Sequence, residues 1–446
     1  MSDAARTVAY EVLRAVASRG AYANLALPHA LRSAGLTGRD AALATELTYG
    51  TLRHRGTYDA VLAVCIDRPL AKLDPPVLDA LRLGTHQLLR TRIPGHAAVS
   101  STVAVAKEAL GSKRAGFVNA VLRRVADRDE QGWIDAVAPD YDDDPVGHLA
   151  VAHAHPPWVV RAMHEALGGS WTDTSAALAA DNDPADVVVC ARPGLCTVDE
   201  IPGRPGRWSP SAVLVDGDPA AVPAVREGRA GVQDEGSQLV AYALAAAEVP
   251  TRPGGEVWLD ACAGPGGKAA LLAALAEQQG ARLVAAERRH RRSRLVRRAL
   301  QLSQNAQAVT ADGRAGPWRA DTFDRVLVDA PCSGLGSLRR RPEARWRRTP
   351  GDVADLVRLQ GDLLRAALTA VRPGGVVGYV TCSPHLAETT GVVDLVTGDT
   401  PGVDVVDARP LFPGRPHLGS GPWVQLWPHL HGTDAMFAAV LRKRED

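Results

Sequence analysis

The chain has 446 residues, enough for two or three domains that each bury a core. Its charges nearly cancel, 51 Lys and Arg against 50 Asp and Glu, so any nucleic-acid partner must be read from where the charges lie rather than from their sum. No apolar run reaches the roughly 20 residues that span a bilayer, which excludes a helical membrane protein. The start, MSDAARTVAYEVLRA, lacks the layout of a secretory signal, so the expectation is a cytoplasmic protein. Six cysteines, at 65, 190, 196, 262, 332 and 382, form no C-x-x-C pair, which argues against a zinc site and against a disulfide framework.

In chain order, residues 1–130 read as an all-helical bundle. Val8, Val12 and Val16 recur at helical spacing, as do Leu43 and Leu47. Asp74 followed by Pro75 reads as an N-cap and first-turn proline, opening a helix with Val77, Leu81 and Leu88 on one side. Phe117, Val121 and Val125 line another. The acidic stretch Asp127 to Pro145 reads as a linker. Residues 145–240 read as a small α+β module, with a helix broken at Pro156 and Pro157 and a short strand in ADVVVCARP.

From residue 241 to 446 the character changes. The apolar runs EVWLDACAG, ARLVAAE, AQAVTADG, FDRVLVDAPCS and GGVVGYVTCS alternate with helical stretches. That pattern predicts parallel strands buried on both faces, an α/β doubly wound sheet whose ligands bind beyond the carboxyl ends of the strands. The first run leads through Cys262, Ala263, Gly264, Pro265, Gly266, Gly267 and Lys268 into a helix. The glycines allow a tight turn and close approach of a ligand to a helix start. Glu287 ends the next strand, where an acid can accept ribose hydroxyls, and Asp312 ends the third, placed to reach an adenine or its ribose. The spacing is neither that of a P-loop nor G-x-G-x-x-G, so an adenosyl cofactor without a diphosphate fits best.

The fourth strand delivers Asp329-Ala-Pro-Cys332 and the fifth Thr381-Cys382-Ser383. A lone strand cysteine is usually filler, as Cys65, Cys190 and Cys196 are read here. Two at neighbouring strand tips beside an aspartate suit one reaction. Carbon 5 of a pyrimidine is a poor nucleophile until a thiolate adds to carbon 6, and a carboxyl group at the N3–N4 edge stabilises the charge that develops.

These blocks, Cys262 to Lys268, Asp329 to Gly334 with the following RRRPEARW, and Thr381 to Ser383, resemble the Sun/RsmB family of ribosomal RNA (cytosine-5)-methyltransferases. GVQDEGSQLVA and LWPHLHGTDAMFAAVLRK resemble the family's helix before the sheet and its terminal antiparallel strands. ELTYGTLR, LRLGTHQLL, IPGHAAVSSTV and GFVNAVLRR resemble the NusB-like RNA-binding domain that precedes it. The resemblance implies a multidomain protein: an all-α NusB-like bundle, a small α+β module and a Rossmann-like methyltransferase sheet. It implies methyl transfer from S-adenosylmethionine to carbon 5 of a cytosine in 16S ribosomal RNA, by a monomer without metal. A transfer-RNA enzyme and a non-catalytic RNA-binding assembly factor are the alternatives. By resemblance Cys382 is the nucleophile, Cys332 assists product release, and Asp329 and Lys268 contact the cytosine; the alternative makes Cys332 the nucleophile. Cys262 to Lys268, Glu287, Asp312 and Asp329 form the implied cofactor pocket.

The sequence departs from the family at several places. Gly264 and Ala269 stand where Ala and Thr are usual, Glu287 replaces the common Asp, Thr389 follows Glu388 where Asn is common, and Asp-Ala-Met-Phe (434–437) replaces Asp-Gly-Phe-Phe. Of the two basic runs, the helix around Arg288–Arg298 is left without a role. The run Arg339–Arg348 with Trp346 is expected to contact RNA.

Overall fold

A computed structural model describes residues 3–445. The chain divides into two compact units, one of residues 1–184 with 338–347, the other of residues 185–337 with 348–446. The first unit is helical. Asp3 caps the helix Ala4–Arg19 by accepting from the Ala5 and Arg6 amides, and Val8, Val12 and Val16 face inward as their spacing predicts. Leu47 of the helix Gly38–Arg53, Val77 and Leu81 of Pro75–Arg90, and Val121 and Val125 of Ser112–Val125 complete the same core, with Leu43, Leu88 and Phe117 packed at its edge. Pro75 does open its helix, but Asp74 makes no side-chain cap and pairs with Arg114 instead.

Two expectations change. The stretch Asp127 to Pro145 holds the helix Glu130–Val137, capped by Asp129, which buries Trp133 and Ile134. Of the acidic residues that suggest a linker, Asp129 caps this helix and Asp144 caps the next, Pro145–Ala152. Residues 145–240 are not one module: the helices Pro145–Ala152, Pro157–Ala166 and Trp171–Ala180 belong to the helical unit, and the strands from 188 onward belong to the other.

The basic run also differs from its expected role. Residues 338–347 belong to the helical unit, where Arg345 is fully buried and its guanidinium donates to the carbonyls of Arg53, Ala154 and Asp181 and to Asn182 Oδ1. Glu343 accepts from the Ala23 amide at 3.0 Å, and Arg55 lies over the Trp346 ring. Arg345 is therefore engaged in packing, while Trp346 is half-buried beneath Arg55. A planar five-donor guanidinium suits loop carbonyls as well as phosphates, and the sequence alone does not separate the two.

The second unit holds a small antiparallel sheet of β1 (Val188–Ala191), β2 (Arg204–Pro205), β3 (Ala212–Leu214) and β4 (Ala230–Val232), in the order β2-β3-β1-β4. The helix Glu235–Ala246 follows, capped by Asp234. The main sheet comprises β5 (Val257–Asp260), β6 (Arg282–Ala286), β7 (Ala306–Val309), β8 (Phe323–Asp329), β9 (Val371–Thr381), β10 (Val403–Val406), β11 (Val424–Gln425) and β12 (Phe437–Lys443). Its order is β10-β12-β9-β8-β5-β6-β7, with β11 paired to β12. The strands β5 to β9 run parallel, and β12 joins β9 antiparallel.

Both faces are covered, which explains the unbroken apolar runs. Trp258, Leu283, Leu327 and Val376 enter the core with the helices Glu235–Ala246 and Gly267–Gln278. Their neighbours Leu259, Val326, Val328 and Val377 enter the opposite core with the helices Pro350–Ala370 and Thr390–Asp399. The strand order reverses between β5 and β8, so a crevice opens at the carboxyl ends there. No helix among the described residues is long and apolar enough to cross a membrane.

Candidate active site

The turn after β5 sits at that reversal. Asp260 ends the strand fully buried, and its Oδ1 accepts from the Cys262 amide at 3.2 Å. The Ala263 amide donates to the Ala286 carbonyl, which ties the turn to β6. Gly266, with φ of +118°, precedes the helix at Gly267; a Cβ there would lie 2.7 Å from Ala299 Cβ. Burial, and then the neighbouring Asp329, push the Asp260 carboxyl up to about 7. Burial likewise pushes the Cys262 thiol well up, so it is no nucleophile.

Glu287, the residue after β6, accepts from the Arg289 amide at 2.7 Å and has Arg292 Nε 3.5 Å from its other oxygen. Gly264 and Glu287 are matched in shape. A Cβ on Gly264 would lie 2.0 Å from Glu287 Oε2. The longer acid therefore fills the room that an alanine methyl would take, which accounts for two departures from the family pattern at once. Asp312 follows β7 and holds Arg314 through both oxygens; those hydrogen bonds lower its carboxyl to about 2.

The strands β8 and β9 are parallel neighbours in register from Arg325 with Val376 to Asp329 with Val380, so their tips bring the reacting groups together. Cys332 Sγ lies 3.3 Å from Cys382 Sγ, a hydrogen bond between thiols and well beyond a disulfide. Lys268 Nζ lies 3.0 Å from Asp329 Oδ2. The thiol pair is asymmetric. The hydrogen bond with Cys332 lowers the Cys382 thiol below its ordinary value against burial and Asp329, which raise it, and Lys268 adds to the lowering. Cys332 is pushed well up by the same hydrogen bond, then by burial and by Glu388. Lys268 is raised despite its burial, because Asp329 and Cys382 favour its charge. The surroundings therefore favour ionisation at Cys382 over Cys332, with the Lys268 ammonium held against Asp329.

All the residues singled out in the sequence thus lie at the carboxyl ends of β5 to β9, with Glu287 and Asp312 at the far strands and the thiols near β8 and β9. Three residues to which sequence reasoning gives no role also stand here: Asp260, whose buried Oδ2 has no hydrogen-bond partner; Asp434, which acts on Cys382; and Glu388, hydrogen-bonded to both cysteine turns. Their signal was proximity to the motif blocks, which does not say which way a side chain turns. Among the described residues no group of His, Cys, Asp and Glu could hold a metal ion.

The residues present fit an adenosyl cofactor. Acids stand at the ends of three successive strands, a glycine turn opens a helix, and the orphaned Asp260 oxygen can accept from an ammonium group. A Rossmann-like sheet with such a crevice defines the class: an S-adenosylmethionine-dependent methyltransferase. Residues 250–442 match the family model described as 16S rRNA methyltransferase RsmB/F, and residues 3–127 match the NusB family. A methyltransferase of Mycobacterium tuberculosis is 54% identical over 99% of this chain and 97% of its own. The ribosomal RNA small subunit methyltransferase B of Vibrio cholerae is 31% identical, over 97% of this chain and 98% of its own. The solved structure of PH0851 covers 99% of this chain and 100% of its own, with a TM-score of 0.80 at 20% identity, a likeness of fold. The chain belongs to the RsmB/F methyltransferase family and carries a NusB-family domain at its N-terminal end.

Proposed function

We propose that the protein methylates carbon 5 of a cytosine in 16S ribosomal RNA through a covalent cysteine adduct. The observation that carries this reading is the Cys332–Cys382 pair at 3.3 Å beside the Lys268–Asp329 pair. The named relatives in the family act on small-subunit ribosomal RNA, and the NusB-like domain supplies an RNA-binding surface by the same resemblance.

In this reading the Cys382 thiolate adds to carbon 6 of the flipped cytosine, and the ring electrons move to carbon 5. Asp329 and Lys268 hold the base edge and balance the charge that develops on it. When bound, S-adenosylmethionine supplies an electrophilic methyl group. Water then takes the carbon 5 proton, with Cys332 assisting; the carbon 5–hydrogen pair forms the carbon 5–carbon 6 double bond as the carbon 6–sulfur bond breaks, which returns that bond's electron pair to Cys382. Gly264 to Gly267 and Glu287 hold the cofactor, with Asp312 at its adenosine end.

Bisulfite sequencing of 16S ribosomal RNA from cells with and without the gene tests the substrate. One protected cytosine should vanish in the deletion; unchanged protection would reject the ribosomal substrate. The Cys332→Ala variant tests the chemistry. It should accumulate a covalent RNA adduct, visible as a retarded band on a denaturing gel, with turnover falling by about 10²–10⁴-fold.

The matched pair gives a prediction about the cofactor. Gly264→Ala forces a methyl group against a buried, hydrogen-bonded Glu287, and should weaken S-adenosylmethionine binding by about tenfold, or about 1.4 kcal/mol. Adding Glu287→Asp should restore most of the loss by removing one methylene. Isothermal titration of the four proteins measures both effects, and independent, additive losses would show that the two residues are not coupled.

A further inference from the structure

We propose that Glu388 is a positioning residue that clamps the two cysteine turns together, fixing the distance between the thiols. The inference rests on the reading above that both thiols take part in the reaction. Glu388 is fully buried on the short turn Leu386–Glu388 after β9. Its carboxylate spans the two turns one residue beyond each sulfur. Oε1 accepts from the Ser333 amide at 2.7 Å, and Oε2 accepts from the hydroxyls of Ser333 and of Ser383, the latter at 2.7 Å.

Gln360, from the helix Pro350–Ala370, closes the cage. Its Nε2 donates to Glu388 Oε1 at 3.1 Å and to the carbonyl of Pro331, the residue before Cys332, at 2.9 Å. The Tyr379 hydroxyl fixes the other end by donating to the Glu388 carbonyl at 2.7 Å. Ser333, Ser383, Gln360 and Tyr379 are all buried. A carboxylate is an acceptor only, so it can gather four donors that would otherwise compete, and charge-assisted bonds are the stronger ones. Glu388 makes no hydrogen bond to either sulfur and acts through the two serines.

Its charge adds a second effect. Glu388 raises the Cys332 thiol, while Cys382 is lowered by its hydrogen bond with Cys332 and by Lys268 and raised by Asp329 and Asp434, so removing the Glu388 charge acts first on Cys332.

The test compares full-length wild type with Glu388→Gln, which removes the charge and puts a donor among donors. Ser383→Ala is the second variant; it cuts the link from Glu388 to the Cys382 turn, together with the Ser333 hydroxyl and His385 amide contacts of that hydroxyl, and keeps the test open if Glu388→Gln does not fold. Three readouts are needed: S-adenosylmethionine affinity, steady-state methylation of RNA, and the pH dependence of iodoacetamide alkylation at Cys382 and Cys332, resolved by mass spectrometry. Affinity for the cofactor should stay within about twofold, while kcat falls by about 100-fold with little change in KM, as expected when reacting groups shift by about 1 Å. The alkylation midpoint of Cys382 should rise by about one pH unit and that of Cys332 should fall. Lost turnover with unchanged alkylation midpoints would overturn the proposal and leave Glu388 a purely structural residue. Wild-type turnover in both variants would overturn it as well. If Cys382→Ala retained methyl transfer, the nucleophile assignment would fail on its own, and the alkylation midpoints would still report on the clamp.

Discussion

Cys382→Ala will abolish methyl transfer, by about 10⁴-fold or more, while S-adenosylmethionine binds with unchanged affinity. The expectation follows from the asymmetry of the pair: Cys382 is the thiol shifted towards ionisation, by its hydrogen bond with Cys332 and by Lys268. The cofactor turn at Cys262 to Lys268 stands on a different strand tip, so removing one sulfur leaves it intact. Tritium transfer from labelled S-adenosylmethionine measures the loss, and titration of the cofactor measures what is kept. Full transfer in the variant would reject Cys382 and move the role to Cys332. The sign of the pH dependence follows as well. A lowered thiol pKa keeps the thiolate available at lower pH, so the rate should rise with pH and level off below the ordinary thiol value of about 8.5. In Cys332→Ala the donor is gone, and the rise in adduct formation should move to higher pH.

Arg345→Ala will destabilise the helical unit by about 3–5 kcal/mol. The guanidinium is fully buried, yet burial lowers it only to about 10, so it is charged at neutral pH. Its removal strands the carbonyls of Arg53, Ala154 and Asp181 and the side chain of Asn182 in a space that water fills poorly. Arg345→Lys should recover little, because one ammonium cannot reach partners that a planar fork reaches together. Hydrogen exchange of the amides in the helix Gly38–Arg53 reads the loss. Protection unchanged within about 1 kcal/mol would show that the guanidinium is dispensable there. The same variant separates packing from RNA recognition. A residue that only contacts RNA would leave amide protection untouched.

What the amino-acid sequence determined by itself is the part governed by local rules. Continuous apolar runs specified parallel strands buried on both faces, because such strands have no wet side. Helical spacing of Val8, Val12 and Val16 specified an inward face. The glycine turn, Glu287, Asp329, Cys332 and Cys382 were legible because each follows directly on a strand, and strand tips share one edge of the sheet. The linker expected at 127–145 failed for a local reason: helix caps and linkers use the same acidic residues.

Only the tertiary structure decided what depends on distant partners. Arginines 339–348 look like a phosphate-binding run, but their chemistry is equally that of a guanidinium feeding loop carbonyls, and which one applies depends on residues some 160 to 290 positions away. The Gly264–Glu287 match needs two strand tips side by side before a missing methyl and an added methylene can be seen to cancel. The difference in acidity between the two thiols depends on charges that include Lys268 at Cys382 and Glu388 at Cys332, and these meet only once the sheet has brought β5, β8 and β9 together. Periodicity reports the face a residue takes, because burial is a property of the strand or helix. Hydrogen bonds and charge act through space over a few ångströms, and only the folded chain sets those distances.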